Sequence, residues 1–313
     1  MSIAILGGAG FIGTNLVELL LDKDETEIAV FDNLSMGNQL TRLTSKNFRV
    51  SRGQMESESE LSAFLQEVRP SRIYHLVANS DIASASINPK LDILNTYTTT
   101  INLINVLKGL DIEEIIFASS SAVYGECEGL IPEEQNFNPI SSYGWMKMAS
   151  EIALDSARQA GIFNKLLIAR FPNVTGKYQT HGVVFDLIRK LKSTEKYLQV
   201  LGDGFQNKPY LSAGKLVEVI ELLRSTTLNG TLNVNIAPRD RINVREIVDL
   251  IYGYTGALKP VEYQDSPNGW KGDIPSYELD TSLLRQLIPD LKLPDSAESV
   301  KEGIRYMWDL DEK

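Results

Sequence analysis

The sequence predicts an α/β protein built on a doubly wound parallel sheet, and three observations carry that prediction. Short apolar runs alternate with helix-spaced segments through the first half of the chain. A glycine-rich turn joins the first apolar run to the first helical segment. The composition, 43% hydrophobic and 23% charged over 313 residues, supplies a large core and excludes a disordered chain. At roughly 150 residues per domain, the length corresponds to about two domains.

The elements follow in order. Apolar runs stand at 3–6, 28–31, 73–77, 115–118 and 166–169. Each is too short for a helix with its own core, and each is rich in β-branched residues or followed by turn residues. Helical spacing fills the gaps at 11–21, 61–68, 91–107 and 143–160. Strands alternating with helices imply right-handed crossovers, hence a parallel sheet covered on both faces. Beyond about Gly176 helical patterns recur at 183–191, 215–223, 244–254 and 296–308, separated by irregular stretches rich in Gly and Pro. The segment 231–236 is expected to return to the main sheet. The rest forms a smaller part that closes over the sheet edge.

Charge and composition exclude several function classes. Lys and Arg number 31 against 41 Asp and Glu, a formal net charge of −10, which disfavours an extended nucleic-acid or anionic-membrane surface. One cysteine, Cys127, excludes an intramolecular disulfide framework and a zinc cluster with several thiolates. With only His75 and His181 present, no multi-histidine metal site is expected. No apolar run approaches the roughly 18 residues of a membrane span. The glycine loop begins at Gly7, which leaves no room for a cleavable signal peptide, so a cytoplasmic protein is expected.

Gly7-Gly8-Ala9-Gly10-Phe11-Ile12-Gly13 lies between the first strand and the first helix. Glycine serves there where the turn is tight, where amides approach a pyrophosphate and where helix meets strand. The helix N-terminus adds unpaired N–H groups and partial positive charge. Asp32, 19 residues past Gly13, ends the second strand. A carboxylate there accepts hydrogen bonds from the adenosine ribose and repels a 2′-phosphate, so NAD is expected over NADP.

Of 12 tyrosines only Tyr143 has lysine at the fourth following position, Lys147. On a helix the two share a face, and an ammonium beside a phenol favours the phenolate, as does a nearby oxidised nicotinamide. Such a phenol is a general base for an alcohol whose hydride leaves to a nicotinamide. Ser119, Ser120 and Ser121 follow the strand at 115–118, so their hydroxyls are expected at the carboxyl edge of the sheet, where doubly wound proteins bind ligands. His75 reads as a packed strand residue, His181 as structural or exposed, and Cys127 as a buried or incidental thiol.

Together these pieces resemble the extended short-chain dehydrogenase/reductase family, in its NAD-dependent nucleotide-sugar epimerase/dehydratase branch. Besides the glycine loop they are Asp32-Asn33-Leu34-Ser35, FASSSAVYG from Phe117, Tyr143-Gly144-Trp145-Met146-Lys147, RFPNVTG from Arg170, and Leu201-Gly202-Asp203-Gly204. The resemblance spans essentially the whole chain. It implies a Rossmann sheet of about seven strands and an NAD-binding domain over 1–176, rejoined by about 210–240. It also implies a mixed α/β substrate domain from 177–209 and 241–313. NAD is then held by Gly7, Gly10, Phe11, Ile12, Gly13, Asp32, Asn33, Ser35, Leu76, Ala78, Ser119, Tyr143, Lys147, Phe171 and Pro172. Tyr143 is implied as the base, with Lys147 lowering its pKa and binding the nicotinamide ribose. Ser120 is implied as the catalytic hydroxyl, with Ser121 the next candidate. Asn173, Lys208 and Lys271 are implied contacts of a nucleotide diphospho-sugar. A homodimer is implied through the Tyr–Lys helix and its neighbour at 91–107, and no metal is expected.

The same resemblance narrows the reaction. Dehydratases of the branch carry an Asp-Glu pair where this chain has Ser121 and Ala122, and its decarboxylases keep a Glu there. Oxidation at C4 remains, with the UDP-glucose 4-epimerases the best-matching group. A C4 dehydrogenase with tightly held NAD would use the same residues, and a non-catalytic NAD-binding protein would keep only the loop. Other positions depart from the branch. Lys208 and Lys271 stand where it has arginines, and a lysine lacks the planar two-pronged grip. Gln54 or Met55 replaces an adenine-contacting Asp, and Thr96 stands in register with an Asn, with Asn95 one residue earlier.

Overall fold

Ile3–Leu6 (β1) is buried at every position, as a central strand covered on both faces must be. The structure, a computed structural model, describes residues 2–25, 27–45, 47–79, 87–226, 229–270 and 272–310. Phe11–Asp22 (α1) leads to Ile28–Asp32 (β2) and then Arg49–Arg52 (β3). Glu58–Val68 (α2) precedes Arg72–His75 (β4). A helical stretch ending in Thr99–Val106 (α3) leads to Glu114–Ala118 (β5). Ser142–Gln159 (α4) then returns the chain to Lys165–Arg170 (β6), and Gly230–Asn235 (β7) comes later.

These seven strands form one sheet in the order β7-β6-β5-β4-β1-β2-β3, every neighbour parallel. The sheet is therefore of the predicted doubly wound, Rossmann type. The order reverses between β1 and β4, and the crevice outside the carboxyl ends of those strands is where such sheets take ligands. As expected, the segment around 231–236 rejoins the sheet, Leu232 pairing with Leu167 and Asn235 with Arg170.

Two apolar layers sandwich the sheet. On one face Leu16 and Leu20 of α1 pack with Leu216 and Leu223 of Ala213–Thr226, a helix that lies alongside them. On the other, Leu61 and Leu65 of α2, Leu103 of α3 and Leu154 of α4 cover the strands. A third cluster joins Val184 and Leu187 of Val183–Lys192, Ile247 and Ile251 of Val244–Thr255, and Val300 and Ile304 of Ser296–Asp309. Asn243 and Glu246 close a reciprocal capping box at the start of the second of these helices.

Three elements differ from the sequence reading. β3 is an edge strand of mixed polarity, largely exposed, so no apolar run marked it. The short helix Ser282–Leu287 has too few turns to show a period. The segment at 91–107 is not uniform: after Lys90–Asp92 it opens into a π-helical stretch, Ile93–Thr98, before α3. Thr99 and Thr100 hydroxyls there both donate to the Thr96 carbonyl, at 2.8 and 3.1 Å. These bonds occupy a carbonyl of the widened turn.

Candidate active site

The glycine loop is packed from below and open above. Gly7 has φ +83°, a conformation that a side chain rarely adopts, and a Cβ on Gly13 would lie 2.5 Å from the Gly8 Cα. Gly13 therefore lets α1 press against the turn. Gly10 differs: a Cβ there would meet only the Gly7 carbonyl, at 3.5 Å, and no side chain caps the helix it begins. Phe11, Ile12 and Gly13 form the first turn behind it. The uncapped N-terminus faces open space, as a pyrophosphate site requires.

Asp32 ends β2 beside that loop. Its carboxylate accepts the Ala9 N–H at 3.0 Å and the Leu34 N–H at 2.8 Å. Burial raises its pKa from the usual range, and those two bonds oppose the shift. The Asn33 side chain accepts the Ser35 N–H at 2.9 Å and donates to Gln54 at 3.1 Å, so Gln54 braces this loop. Leu76 and Ala78 leave β4 on the other side of the crevice, Leu76 donating its N–H to Leu6 at 3.0 Å. The residues fit an NAD adenosine half. Asp32→Ala is expected to weaken NAD binding about 10- to 100-fold, the value of hydrogen bonds to a charged group. Calorimetric titration with NAD, compared with thermal unfolding of the same variant, checks this; equal losses in both would remove the assignment.

Tyr143 and Lys147 sit on the first turns of α4, whose N-cap Ser141 accepts the Gly144 N–H at 3.1 Å. Gly144 is needed for a second reason. A Cβ on it would lie 2.5 Å from the Ala122 carbonyl, so only glycine lets α4 approach the turn Ser121–Val123. That approach sets Tyr143 beside Ser120, whose hydroxyl pulls the phenol's pKa down. Of the two serines expected as candidates, Ser120 faces Tyr143. Ser121 is buried and bears instead on Tyr277. Ser119 does not open onto the cleft: its hydroxyl is buried and donates to Glu151.

Lys147 is 2% exposed, and its Nζ donates to the Ala118 carbonyl at 2.5 Å, 5.8 Å from the Tyr143 ring centre and 4.7 Å from that of Phe117. Burial pulls its pKa down to about 7, opposed by the Glu151 carboxylate one turn along α4. Tyr143 is raised well above the usual phenol value by burial; Ser120 pulls it down and Asp92 pushes it up. The sequence reading asks for two charges beside the phenol, the Lys147 ammonium and an oxidised nicotinamide. In this structure the amine points to a backbone carbonyl, so the second of these charges is required.

Two buried networks hold these groups in place. Glu151 pairs with Arg170 of β6 at 2.6 Å, and Arg170 also donates to the Tyr124 hydroxyl at 2.9 Å and the Glu133 carbonyl at 2.8 Å. Tyr124 in turn donates to Asn235 at 2.7 Å. On the opposite flank Asp92, fully buried, accepts from Asn79 at 2.8 Å and from Ser142. Thr96, in the position where the family resemblance places an Asn, accepts the Asn79 N–H at 3.0 Å. His75 is a core histidine as expected, fully buried, 2.9 Å from the Thr100 hydroxyl and held neutral by burial, with its pKa lowered to about 3.

Phe171 and Pro172 leave β6 into the cleft, and Asn173 pairs with Tyr210 in a short parallel ladder. The Asn173 side chain also hydrogen-bonds with the Tyr210 phenol. Lys208 is paired with Asp273, both nearly buried, so its charge is matched within the protein. Lys271 lies outside the described residues. Sequence reasoning missed Tyr210, Asp273, Tyr277, Asp92 and Glu151. The run Gly272-Asp273-Ile274-Pro275 is the one local signal near two of them, and only the lysine before it stood out as a charge for a diphosphate. His181 is exposed, its ring edge-on to Phe11 at 6.2 Å.

Known proteins share the family and the fold of this chain. The model of the family described as "NAD dependent epimerase/dehydratase family" matches residues 3–237. An uncharacterized UDP-glucose epimerase of Bacillus subtilis (strain 168), YtcB, is 28% identical over 97% of this chain and 96% of its own. A putative UDP-glucose 4-epimerase of Methanocaldococcus jannaschii is 26% identical over 97% and 98%. Among solved structures, the UDP-glucose 4-epimerase of Thermus thermophilus in complex with NAD superposes with TM-score 0.85 at 25% identity, covering 99% of this chain and 100% of that one. The UDP-glucose 4-epimerase of Thermotoga maritima with UDP-glucose gives 0.85 at 26%, covering 99% of each.

Proposed function

The chain belongs to the NAD-dependent epimerase/dehydratase family, and from that premise we propose that it is a nucleotide-sugar 4-epimerase acting through transient oxidation at C4. One observation carries the reading. Tyr143, Ser120 and Lys147 converge at the carboxyl end of β5, while Ser121 and Ala122 supply no carboxylate for an elimination or decarboxylation. The relatives named as UDP-glucose 4-epimerases support the substrate class.

NAD, held by Gly7, Gly10, Gly13 and Asp32, would supply a reversible hydride acceptor for C4. The protein's own work is with the proton and with placement. Tyr143 Oη takes the proton of the C4 hydroxyl as the hydride departs, and gives it back when the sugar is reduced. Ser120, beside Tyr143, orients the same hydroxyl. Lys147 places a cationic amine beneath the phenol in a buried site, where its charge acts over a low dielectric. Glu151 opposes the loss of that charge. Phe171 and Pro172 would border the nicotinamide, and Asn173 would contact the sugar or its diphosphate. Lys208 reaches a diphosphate only by giving up Asp273, which favours a weaker clamp than free arginines would form.

A homodimer belongs to this reading. Ile93 and Leu94 of the π-helical stretch and Trp145 and Ile152 of α4 are exposed, between 38% and 55%, on two helices that pack against each other. Trp145 and Ile152 are seven residues apart and share one helix face. Ile152→Glu is expected to convert a dimer into a monomer in sedimentation velocity, with the fold kept. A wild type already monomeric at micromolar concentration contradicts the dimer.

The function itself is tested by incubating the NAD-loaded protein with UDP-, dTDP-, GDP- and CDP-sugars. The expected product is the C4 epimer without net NADH. Stoichiometric NADH with a released keto sugar identifies a dehydrogenase instead, and no conversion of any sugar favours a dinucleotide-binding role.

A further inference from the structure

Asp92 is a fully buried acid that the proton transfer at Tyr143 leaves unused. It ends the short helical turn Lys90–Asp92, ahead of the π-helical stretch. Its Oδ1 accepts the Asn79 side-chain amide at 2.8 Å, and its Oδ2 accepts the Ser142 hydroxyl. Both donors are neutral, and among the described residues Asp92 forms no ion pair. Glu151, on the opposite flank, is by contrast matched by Arg170, and Lys147 directs its amine to the Ala118 carbonyl. The N-terminus of α4, where Ser142 is the first residue, offsets only part of a unit charge. A carboxylate removed from water without a cation leaves a field that favours any positive group brought into the cleft.

The two partners of Asp92 place that field. Asn79 follows Ala78 beyond the carboxyl end of β4, and its N–H donates to the Thr96 hydroxyl at 3.0 Å. Ser142 directly precedes Tyr143. Asp92 thus ties the cofactor side of the crevice to the turn of α4 that carries the phenol. Proton and hydride leave the same carbinol of the sugar, so their two acceptors share this corner of the cleft. A nicotinamide is cationic when oxidised and neutral when reduced. We propose that Asp92 is the buried counter-charge of the oxidised nicotinamide, holding the bound cofactor toward NAD and favouring return of the hydride to the sugar. On that return the hydride bonds to the keto carbon, the Tyr143 proton passes to its oxygen, and the ring regains its positive charge. The same carboxylate pushes the Tyr143 phenol up, so a neutral ring leaves the proton on the tyrosine until the sugar takes it back. An epimerase needs this bias; a dehydrogenase that releases a keto sugar does not.

The inference rests on the proposed C4 oxidation, but its test needs no sugar. Titrating the NAD-loaded protein with NADH to equilibrium, followed by the fluorescence of bound NADH, gives the ratio Kd(NAD)/Kd(NADH) by exchange. Asp92→Asn keeps the shape and removes the charge, and the Ser142 hydroxyl can turn to accept the new amide. The ratio is expected to rise about tenfold, which raises the potential of the bound two-electron couple by about 30 mV. Asp92→Ser, which keeps an acceptor for Asn79, is expected to shift the ratio in the same direction and carries the test should Asp92→Asn fail to fold. Ser142→Ala removes one bond and keeps the charge, so its ratio is expected within about twofold of wild type. A ratio unchanged in the Asp92 variants, or moved as far in Ser142→Ala, overturns the proposal. A wild type that converts no nucleotide-sugar removes the epimerase reading and leaves the ratio to decide this one.

Discussion

Tyr143→Phe is expected to lower epimerase turnover by about 10²- to 10⁴-fold, the contribution of a positioned general acid–base, while NAD stays bound and the fold is kept. The phenol is half-buried, and its contacts run through the hydroxyl to Ser120 and through the ring face to Lys147. Removing one oxygen leaves α4 capped by Ser141 and seated against Ala122 through Gly144. Thermal unfolding is therefore expected within about 1 kcal/mol of wild type, as for most substitutions that leave no cavity and strand no buried charge. Steady-state rates together with NAD titration check both halves. Turnover within about threefold of wild type would remove Tyr143 from the chemistry, since even a modest acid–base role exceeds that.

The second large effect is on stability. Arg170→Met is expected to cost about 3–5 kcal/mol, because it leaves Glu151 ionised and buried without its cation. Glu151 and Arg170 are 3% and 2% exposed, so solvent cannot replace the lost partner. The same substitution removes donors to Tyr124 and the Glu133 carbonyl, which tie β6 to the loop before α4 and, through Asn235, to β7. The pair Glu151→Leu with Arg170→Met is expected to recover much of the loss, because no charge is then stranded. Urea unfolding of the two single variants and the double variant measures this. A double variant as unstable as the sum of the singles would show that hydrogen bonding, and not the stranded charge, dominates.

The parts legible in the sequence were those with a short-range signature. The five apolar runs that became sheet strands, the glycine loop and the Tyr143–Lys147 spacing each express one local constraint, so their positions matched closely. β3 was hidden because an edge strand has no apolar face to hide, and its residues Arg49 to Arg52 read as loop. The π-helical stretch was hidden because one widened turn inside a helical segment leaves no mark in the apolar spacing. In the site, Tyr210, Asp273 and Tyr277 lie 67 to 134 residues from Tyr143 in the chain and reach it only through tertiary folding. Spacing placed an amine nearby, but its direction, toward the Ala118 carbonyl, and the burial that weakens it are properties of the packed cleft.

The account turns on whether this phenol loses its proton near neutrality once the cleft holds its dinucleotide. Ring-labelled tyrosine titrated by nuclear magnetic resonance, with Tyr143→Phe to assign the signal, answers it. The ligand-free protein is expected to keep Tyr143 protonated beyond about pH 10, and the NAD-loaded protein to bring the midpoint to near neutrality, a fall of more than about three units caused by close positive charges in a buried site. A Tyr143 that stays protonated beyond about pH 10 with NAD bound would contradict the account.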